Sequence, residues 1–437
     1  MIRLQSNAPL IARILREQTF LKDKKYRWAS FVFIVPHEDG RLLYNVLTKE
    51  LLYITNEEFF YAQEDCAELV KKWFLVLEQF DDKNLIEQIK RQLSAVNFRN
   101  CSINNYTIFT TTDCNARCSY CFERGYHKVR MNNEVINATT HFIKRNCQEG
   151  RVNIQWFGGE PLFNMRAIDK ICHVLSENGI TFTSSMTTNG YLFSESVIDK
   201  ALSLWCLKEV QITLDGTEKN YNKIKSYIYK DKNPYLKVTD NIKTLLSRGI
   251  KVTIRLNLTT ENTDDLRQLI TKLIADYSGN TNFSIYVHPL FELINESHTR
   301  KEVFNELMSL HEMINDSQLG KEYSNLSKPR IHQCKADANG KSVVIFPDGH
   351  IGLCDHQWQS DYIGHVESDK LDYSIIERWR EYITPIDRCG SCLLYPDCLK
   401  LRLCETNNQC YEEFIEFNKF RLKIDIINKY NKSLVSR

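Results

Sequence analysis

The sequence predicts an α/β protein built on a partial (β/α)6 TIM-like barrel, with an α+β domain before it and a cysteine-rich domain after it. Three observations carry this. Six extended runs alternate with helical-period segments between residues 106 and 288. Before residue 100, three short extended runs precede three helical ones. After about residue 320, seven cysteines crowd into residues 334–410.

In chain order, the first region has extended runs at 29–35, 41–46 and 50–54, parted by Pro36, Asp39-Gly40 and the link Leu47-Thr48-Lys49. Thr55-Asn56-Glu57-Glu58 has capping-box spacing, a hydroxyl at the cap and a carboxylate three residues on. Helical periodicity follows at 57–62, 66–79 and 83–95. In the second region the extended runs are 106–112, 152–158, 180–188, 208–214, 250–258 and 282–288. Helical patterns fall between them at 132–147, 165–178, 194–204, 235–248 and 262–277. Such βα repeats with short connections predict a parallel sheet closing towards a barrel, with ligands at the carboxyl ends of its strands. The third region has short extended runs at 342–347 and 349–353 after Lys328-Pro329-Arg330, then a helical tail at 411–430. The expected domains are 1–100, 101–315 and 316–437.

Composition narrows the class. The 437 residues exceed one core of ~100–200 residues, and 43% hydrophobic with 26% charged residues is a globular balance. A net charge of +2 gives no sign of a nucleic-acid or anionic-membrane partner. The longest apolar run, Trp73-Phe74-Leu75-Val76-Leu77, is far short of the ~18–20 residues of a membrane helix. The N-terminus opens no export-signal apolar stretch, so a cytoplasmic location is expected. In a reducing cytosol, clustered thiols read as metal ligands or catalytic groups rather than disulfides. Cys66, Cys101, Cys147, Cys172 and Cys206 are scattered and read as small buried hydrophobes.

Cys114-Asn115-Ala116-Arg117-Cys118-Ser119-Tyr120-Cys121 is a C-x3-C-x2-C cluster just after the first barrel strand. Three thiolates on a short loop can hold three irons of a cubane 4Fe–4S cluster and leave the fourth iron open to a small chelating molecule. A structural zinc knuckle is the alternative, with His127 as fourth ligand.

This spacing, with the aromatic Tyr120 before the last cysteine, resembles the radical S-adenosylmethionine (radical SAM) enzymes. Further matching elements stand at strand ends: Gly158-Gly159-Glu160-Pro161, Thr188-Asn189-Gly190 and Leu214-Asp215-Gly216, with Arg255 and Asn257 on the fifth strand. The resemblance, over about 105–290, implies that Gly158, Gly159, Glu160, Pro161, Asn189, Asp215, Arg255 and Asn257 serve SAM. It implies that SAM chelates the open iron, and that one electron from the cluster cleaves it to a 5′-deoxyadenosyl radical that abstracts a substrate hydrogen. A flavodoxin- or ferredoxin-type electron donor is implied with it.

The third region resembles the SPASM domain, which holds auxiliary 4Fe–4S clusters. Fourteen residues separate Cys334 from Gly349 and four more separate Gly349 from Cys354; Cys389, Cys392 and Cys398 keep x2 and x5 spacings; Cys404 departs, with five residues instead of three between it and Cys398. The resemblance assigns Cys334, Cys354 and Cys404 to one cluster and Cys389, Cys392, Cys398 and Cys410 to the other, with Cys404 and Cys410 exchangeable. It therefore implies three 4Fe–4S clusters, one binding SAM and two auxiliary. A zinc ribbon is the alternative. Asp355, after Cys354, corresponds to the Cys-Asp aspartate that deprotonates substrate in the sulfatase-maturating branch.

The first region resembles the RiPP recognition element, a small winged-helix-like domain that binds the leader of a precursor peptide by adding it as a strand to a sheet edge. Arg41–Thr48 looks like the corresponding strand of the peptide-carrier domain in pyrroloquinoline-quinone assembly.

Together these resemblances imply a radical SAM/SPASM maturase acting on a short precursor peptide with a leader. A thioether cross-link is the expected product. Two fully cysteine-ligated cubanes need eight thiolates, and 334–410 holds seven. One auxiliary iron is then open, or held by a weaker ligand such as His332, and an open iron can bind a substrate thiolate. A carbon–carbon link or cyclophane, a sulfatase-type maturase forming formylglycine, and a zinc or iron–sulfur sensor are the rivals.

Overall fold

The apolar runs of the first hundred residues form two small antiparallel sheets. This is seen in a computed structural model that describes residues 1–62, 67–97, 102–230, 233–290, 297–320, 326–328, 341–356, 361–368, 370–380, 387–398 and 410–435. The elements are β1 (Ile2–Gln5), α1 (Pro9–Ile14), β2 (Tyr26–Trp28), β3 (Val32–His37), β4 (Gly40–Asn45), β5 (Leu51–Thr55), α2 (Asn56–Phe60), α3 (Ala67–Lys71), β6 (Leu75–Leu77) and α4 (Asp82–Asn97). Thr55 and Glu58 make the expected capping box: the hydroxyl accepts from Glu58 N at 3.1 Å, and the carboxylate accepts from Thr55 N at 2.9 Å.

Two sequence expectations change here. The helix expected at 66–79 stops at Lys71, and its second half is β6, paired with β2. Trp73 takes a positive φ of 64°, which no helix accommodates, and Phe74, Leu75 and Val76 are all buried, so no polar face remains. The larger sheet has the order β1-β5-β4-β3. The Arg41–Thr48 segment therefore starts as a central strand with both edges paired, and an added strand would have to join β1 or β3.

The second region folds close to its periodicity. β7 (Asn105–Thr111), α5 (Asn133–Asn146), β8 (Arg151–Gly158), α6 (Met165–Glu177), β9 (Thr181–Thr188), α7 (Glu195–Ser203), β10 (Leu207–Thr213), α8 (Glu218–Ile224), α9 (Pro234–Ser247), β11 (Lys251–Leu258), α10 (Thr263–Tyr277), β12 (Phe283–Pro289) and α11 (Ser297–Asp316) follow in order. Strands β7 to β12 are parallel and adjacent in sequence order, as successive βα units require. The sheet then continues beyond β7 with β13 (Ser342–Ile345), β14 (His350–Gly352) and β15 (Gly364–His365), before α12 (Tyr373–Arg380). β13 pairs parallel to β7, Val344 opposite Thr107. The β13–β14 turn needs glycine: Gly349 has φ 92°, and a Cβ there would lie 2.5 Å from His365 Nε2.

The chain forms two compact units, Met1–Arg99 with Glu322–Gln333 and Arg380–Arg437, and Asn100–Lys321 with Cys334–Trp379. The region expected as one cysteine-rich domain is thus divided between them. In the first unit, Tyr395 is buried in the N-terminal core with Phe31, Phe74 and Ile86, and Cys389, Cys392 and Cys398 pack against it. The last helix, α13 (Glu412–Val435), brings Leu422, Ile426 and Tyr430 against Val35, Leu42 and Tyr44. Among the described residues no helix is long and apolar enough to cross a membrane.

In the second unit, Phe346 is fully buried and packs on Phe109 of β7 with ring centroids 5.1 Å apart. Phe346→Ala should cost about 3–5 kcal/mol of this unit's stability by leaving a cavity. Urea denaturation followed by tryptophan fluorescence reads this, and an unchanged midpoint would contradict the packing.

Candidate active site

The loop after β7 places Cys114, Cys118 and Cys121 on the wall of a cavity of about 520 Å3, a size that suits a small cofactor. The other walls come from the carboxyl ends of the parallel strands: Gly158 ending β8 and Gly159 after it, Asn189 after β9, Arg255 and Asn257 on β11, and Tyr286 on β12. Glu160, Pro161 and Asp215, expected beside them, are buried behind this wall.

The two glycines are dictated by close backbone approach. Gly159 N donates to Thr111 O at 3.1 Å and Glu160 N to Asp113 O at 3.0 Å, so the turn lies against the stem of the cysteine loop. A Cβ on Gly158, whose φ is 118°, would stand 2.1 Å from Thr111 O, and one on Gly159 2.5 Å from Asp113 O. The Glu160 carboxylate accepts from Leu162 N, Thr188 Oγ1 and Asn189 N at 2.8–3.1 Å, tying the end of β8 to that of β9. Complete burial pushes its carboxyl up to about 7 despite those donors.

Lys225, just after α8, is a site residue that the motif reading missed. It stands outside every motif, and its spacing from the cysteines carries no signal. Its side chain is 5% exposed, and Nζ lies 3.0 Å from Asp215 Oδ2 and 2.7 Å from the Tyr120 hydroxyl. Tyr120 donates to Asp215 Oδ2 at 2.5 Å, Asn257 Nδ2 donates to Asp215 Oδ1 at 2.9 Å, and Arg255 Nε donates to Asn257 Oδ1 at 2.9 Å. Burial alone would lower the ammonium's pKa, but Asp215 and Tyr120 outweigh it and hold the group well above its usual value. The next residues strap the cysteine loop: Arg117 N donates to Ser226 O at 2.8 Å and Ile228 N to Asn115 O at 2.9 Å.

These residues fit a cubane cluster. Burial, then the Glu160 charge, push the Cys114 thiol up to about 12, so ionising it calls for a bound metal. Asn115 Nδ2, next to Cys114, is a buried donor with no acceptor, which a sulfide or metal-bound thiolate would supply. Among the described residues, no three His, Cys, Asp or Glu side chains are arranged to hold one metal ion. Zinc ligands converge on one point, whereas a cubane takes one thiolate at each of three corners. His127, the expected fourth zinc ligand, is exposed and off the cavity wall.

On another wall stand Glu123, Asp355 and His356. Cys354 is buried at the end of β14, so the extra strands beyond β7 deliver the residues that follow it to the cavity. Phe122 packs on His356 with centroids 4.6 Å apart. Glu123, also missed by the motif reading, is buried with Oε2 unpartnered, and burial together with the Asp355 charge pushes its carboxyl up to about 8. In the other unit, burial raises the Cys392 thiol, and the charges of Cys410 and Cys389 push the same way. Cys334, Cys404 and His332 lie outside the described residues.

The chain is 26% identical over 227 residues to the radical SAM cyclopropyl synthase TigE of Paramaledivibacter caminithermalis, covering 45% of this chain and 47% of that protein. It is 30% identical over 152 residues to the GTP 3′,8-cyclase of Clostridium acetobutylicum, covering 34% and 45%. The chain thus spans about half the length of these curated relatives. Its fold resembles the solved structure of anSMEcpe with bound AdoMet and the Cp18Cys peptide, with a TM-score of 0.59 at 15% identity over 76% of this chain and 99% of that one. The model of the radical SAM superfamily matches residues 108–273, which hold the cysteine loop, the glycine turn and most of the strands that build this cavity, and this part of the chain is a radical SAM domain.

Proposed function

We propose that the chain is a radical SAM/SPASM maturase of a ribosomally made precursor peptide, forming a thioether cross-link. The observation that carries the reading is the convergence of Cys114, Cys118 and Cys121 with Asp355 on one cavity. In this reading a hydrogen-abstraction centre and a carboxylate that takes a proton share that cavity. Cys114, Cys118 and Cys121 would hold the SAM-binding cluster; Cys334, Cys354 and Cys404 one auxiliary cluster; and Cys389, Cys392, Cys398 and Cys410 the other. When bound, SAM on a reduced cluster supplies one-electron hydrogen-abstraction chemistry. The chain's residues do the rest. Gly158, Gly159, Asn189, Arg255 and Asn257 line the space for SAM, Glu160 and Asp215 hold those groups from behind, and Asp355 receives the substrate proton. A peptide substrate is supported by the Cp18Cys peptide in the structurally similar anSMEcpe. Asp355 on the cavity also favours a second reading, a formylglycine-forming sulfatase-type maturase. Products formed with a precursor peptide or a sulfatase peptide separate the two by mass.

Residues 1–100 are the proposed leader-binding, recognition-element-like domain. Its surface has a cavity lined by Trp28, Arg41, Asn56, Phe59 and Phe60. Trp28 stacks on Phe59 at 5.2 Å, the Arg41 guanidinium lies 4.8 Å over the Phe59 ring, and Phe60 is 77% exposed. An exposed phenylalanine and two half-buried aromatics beside one cation suit a leader with apolar and acidic side chains.

Replacing Cys114, Cys118 and Cys121 together by Ala should abolish 5′-deoxyadenosine formation and remove about four irons per chain, leaving the auxiliary iron bound. Iron analysis and chromatography of the nucleoside read both; formation at the wild-type rate would refute the assignment. Lys225→Met should cost about 3–5 kcal/mol by leaving the buried Asp215 without its cation, and lower SAM cleavage at least about tenfold, with Lys225→Arg recovering part of both. Denaturation midpoints and single-turnover cleavage measure the two effects. Phe60→Ala should weaken precursor binding about tenfold by fluorescence anisotropy, with peptide-free SAM cleavage unchanged.

A further inference from the structure

The cysteine loop has two faces of different chemistry. Cys114, Ala116, Cys118, Tyr120 and Cys121 are on the cavity wall. Arg117, Arg124, Lys128 and Arg130 are exposed and off that wall. Residues 113–130 hold two acids, Asp113 and Glu123. Glu123 is buried on the cavity side, so the outer face has Asp113 alone of the two against four cations. Asp113 is shared by three of them, at 3.4 Å from Arg117, 3.4 Å from Lys128 and 3.5 Å from Arg130, and those three side chains remain 44–57% exposed. One carboxylate cannot neutralise four cations. In a chain with a net charge of only +2, the cysteine loop's own residues thus carry a surplus of positive charge on its solvent side.

We propose that this outer face is the docking surface for an acidic protein electron carrier of the flavodoxin or ferredoxin class. The inference rests on the radical SAM reading, in which a cluster held by Cys114, Cys118 and Cys121 is reduced once per turnover. The step moves one electron: the carrier is oxidised by one, the cluster is reduced by one, and no bond or proton is transferred. The cations and the thiols belong to the same short loop, so a carrier on this face comes close to the cluster without entering the substrate cavity. An acidic surface docking there gains long-range attraction, which raises the encounter rate and is weakened by salt. Arg124 and Lys128 are the cations best suited to test this, because Arg117 lies between two of the cysteines and Arg130 packs on the Phe163 ring at 4.4 Å.

The experiment compares two reductants on the full-length, iron-loaded protein, reading 5′-deoxyadenosine from SAM without peptide. One is reduced flavodoxin, and a ferredoxin is run in parallel; the other is reduced methyl viologen, a small cation that a positive face does not attract. The variant Arg124→Gln/Lys128→Gln should slow flavodoxin-driven cleavage about tenfold at low salt, and the difference should vanish near ~0.5 M KCl. Viologen-driven cleavage should stay within about twofold of wild type, which also shows that the cluster is assembled. Arg124→Glu/Lys128→Glu should deepen the loss for the protein carrier alone. An equal loss with both reductants, an unchanged flavodoxin rate, or failure of both carriers to drive the wild-type protein overturns the docking surface. No cleavage with viologen in the wild-type protein overturns the radical SAM reading instead.

Discussion

A buried ammonium holds this site together. Lys225 joins Asp215, at the end of the β10 strand, to Tyr120 of the cysteine loop, and Asp215 passes the restraint to Asn257 and Arg255 on β11. Three elements distant in sequence are thereby fixed to one another through one charge. The arrangement tolerates no vacancy, because a carboxylate buried without its cation costs several kcal/mol. It also explains why the aromatic residue before the last cysteine is a tyrosine here: its hydroxyl donates to Asp215 and accepts from Lys225, which a phenylalanine cannot do.

A second restraint acts on the same loop from the other side. Gly158 and Gly159 let the β8 turn lie backbone to backbone against the loop's stem, at Thr111 and Asp113. Glu160 then binds that turn to the end of β9. The glycine-glycine-glutamate sequence thus works first as mechanical support. Its two glycines face the cavity, whereas its carboxylate is spent inside the protein on backbone and hydroxyl donors. A loop gripped this way from both sides holds its thiols in place, so less ordering is needed on cluster assembly.

What could be read from the residues follows from the range of the interactions. The six barrel strands and their helices were legible because hydrophobic periodicity is local, and each βα unit repeats it. The cysteine loop and glycine turn were legible because their chemistry is concentrated in adjacent residues. Lys225 and Glu123 were not, since each acquires its role from a partner that only the fold supplies: Asp215 ten residues before the first, Asp355 far along the chain from the second. The short strand β6 was masked by a run that satisfies helical and extended patterns equally, and a single positive φ at Trp73 decides between them.

The cysteine-rich region shows where local reading stops. Its regular spacings suggest one body, yet Cys354 follows a strand pair that extends the barrel sheet, whereas Cys389, Cys392 and Cys398 pack against the core of the N-terminal unit. Spacing records which ligands are neighbours along the chain, and says nothing of which hydrophobic surface each segment needs to cover. Phe346 must be buried on Phe109, and Tyr395 among the apolar residues of the first hundred. Those two anchors, rather than the thiols, divide the region. The division matters for function, because a residue reaches the cavity only if its own strand is anchored to the barrel. Asp355 and His356 meet that condition through β13 and β14, and so the chemistry proposed for Asp355 depends on a phenylalanine nine residues before it.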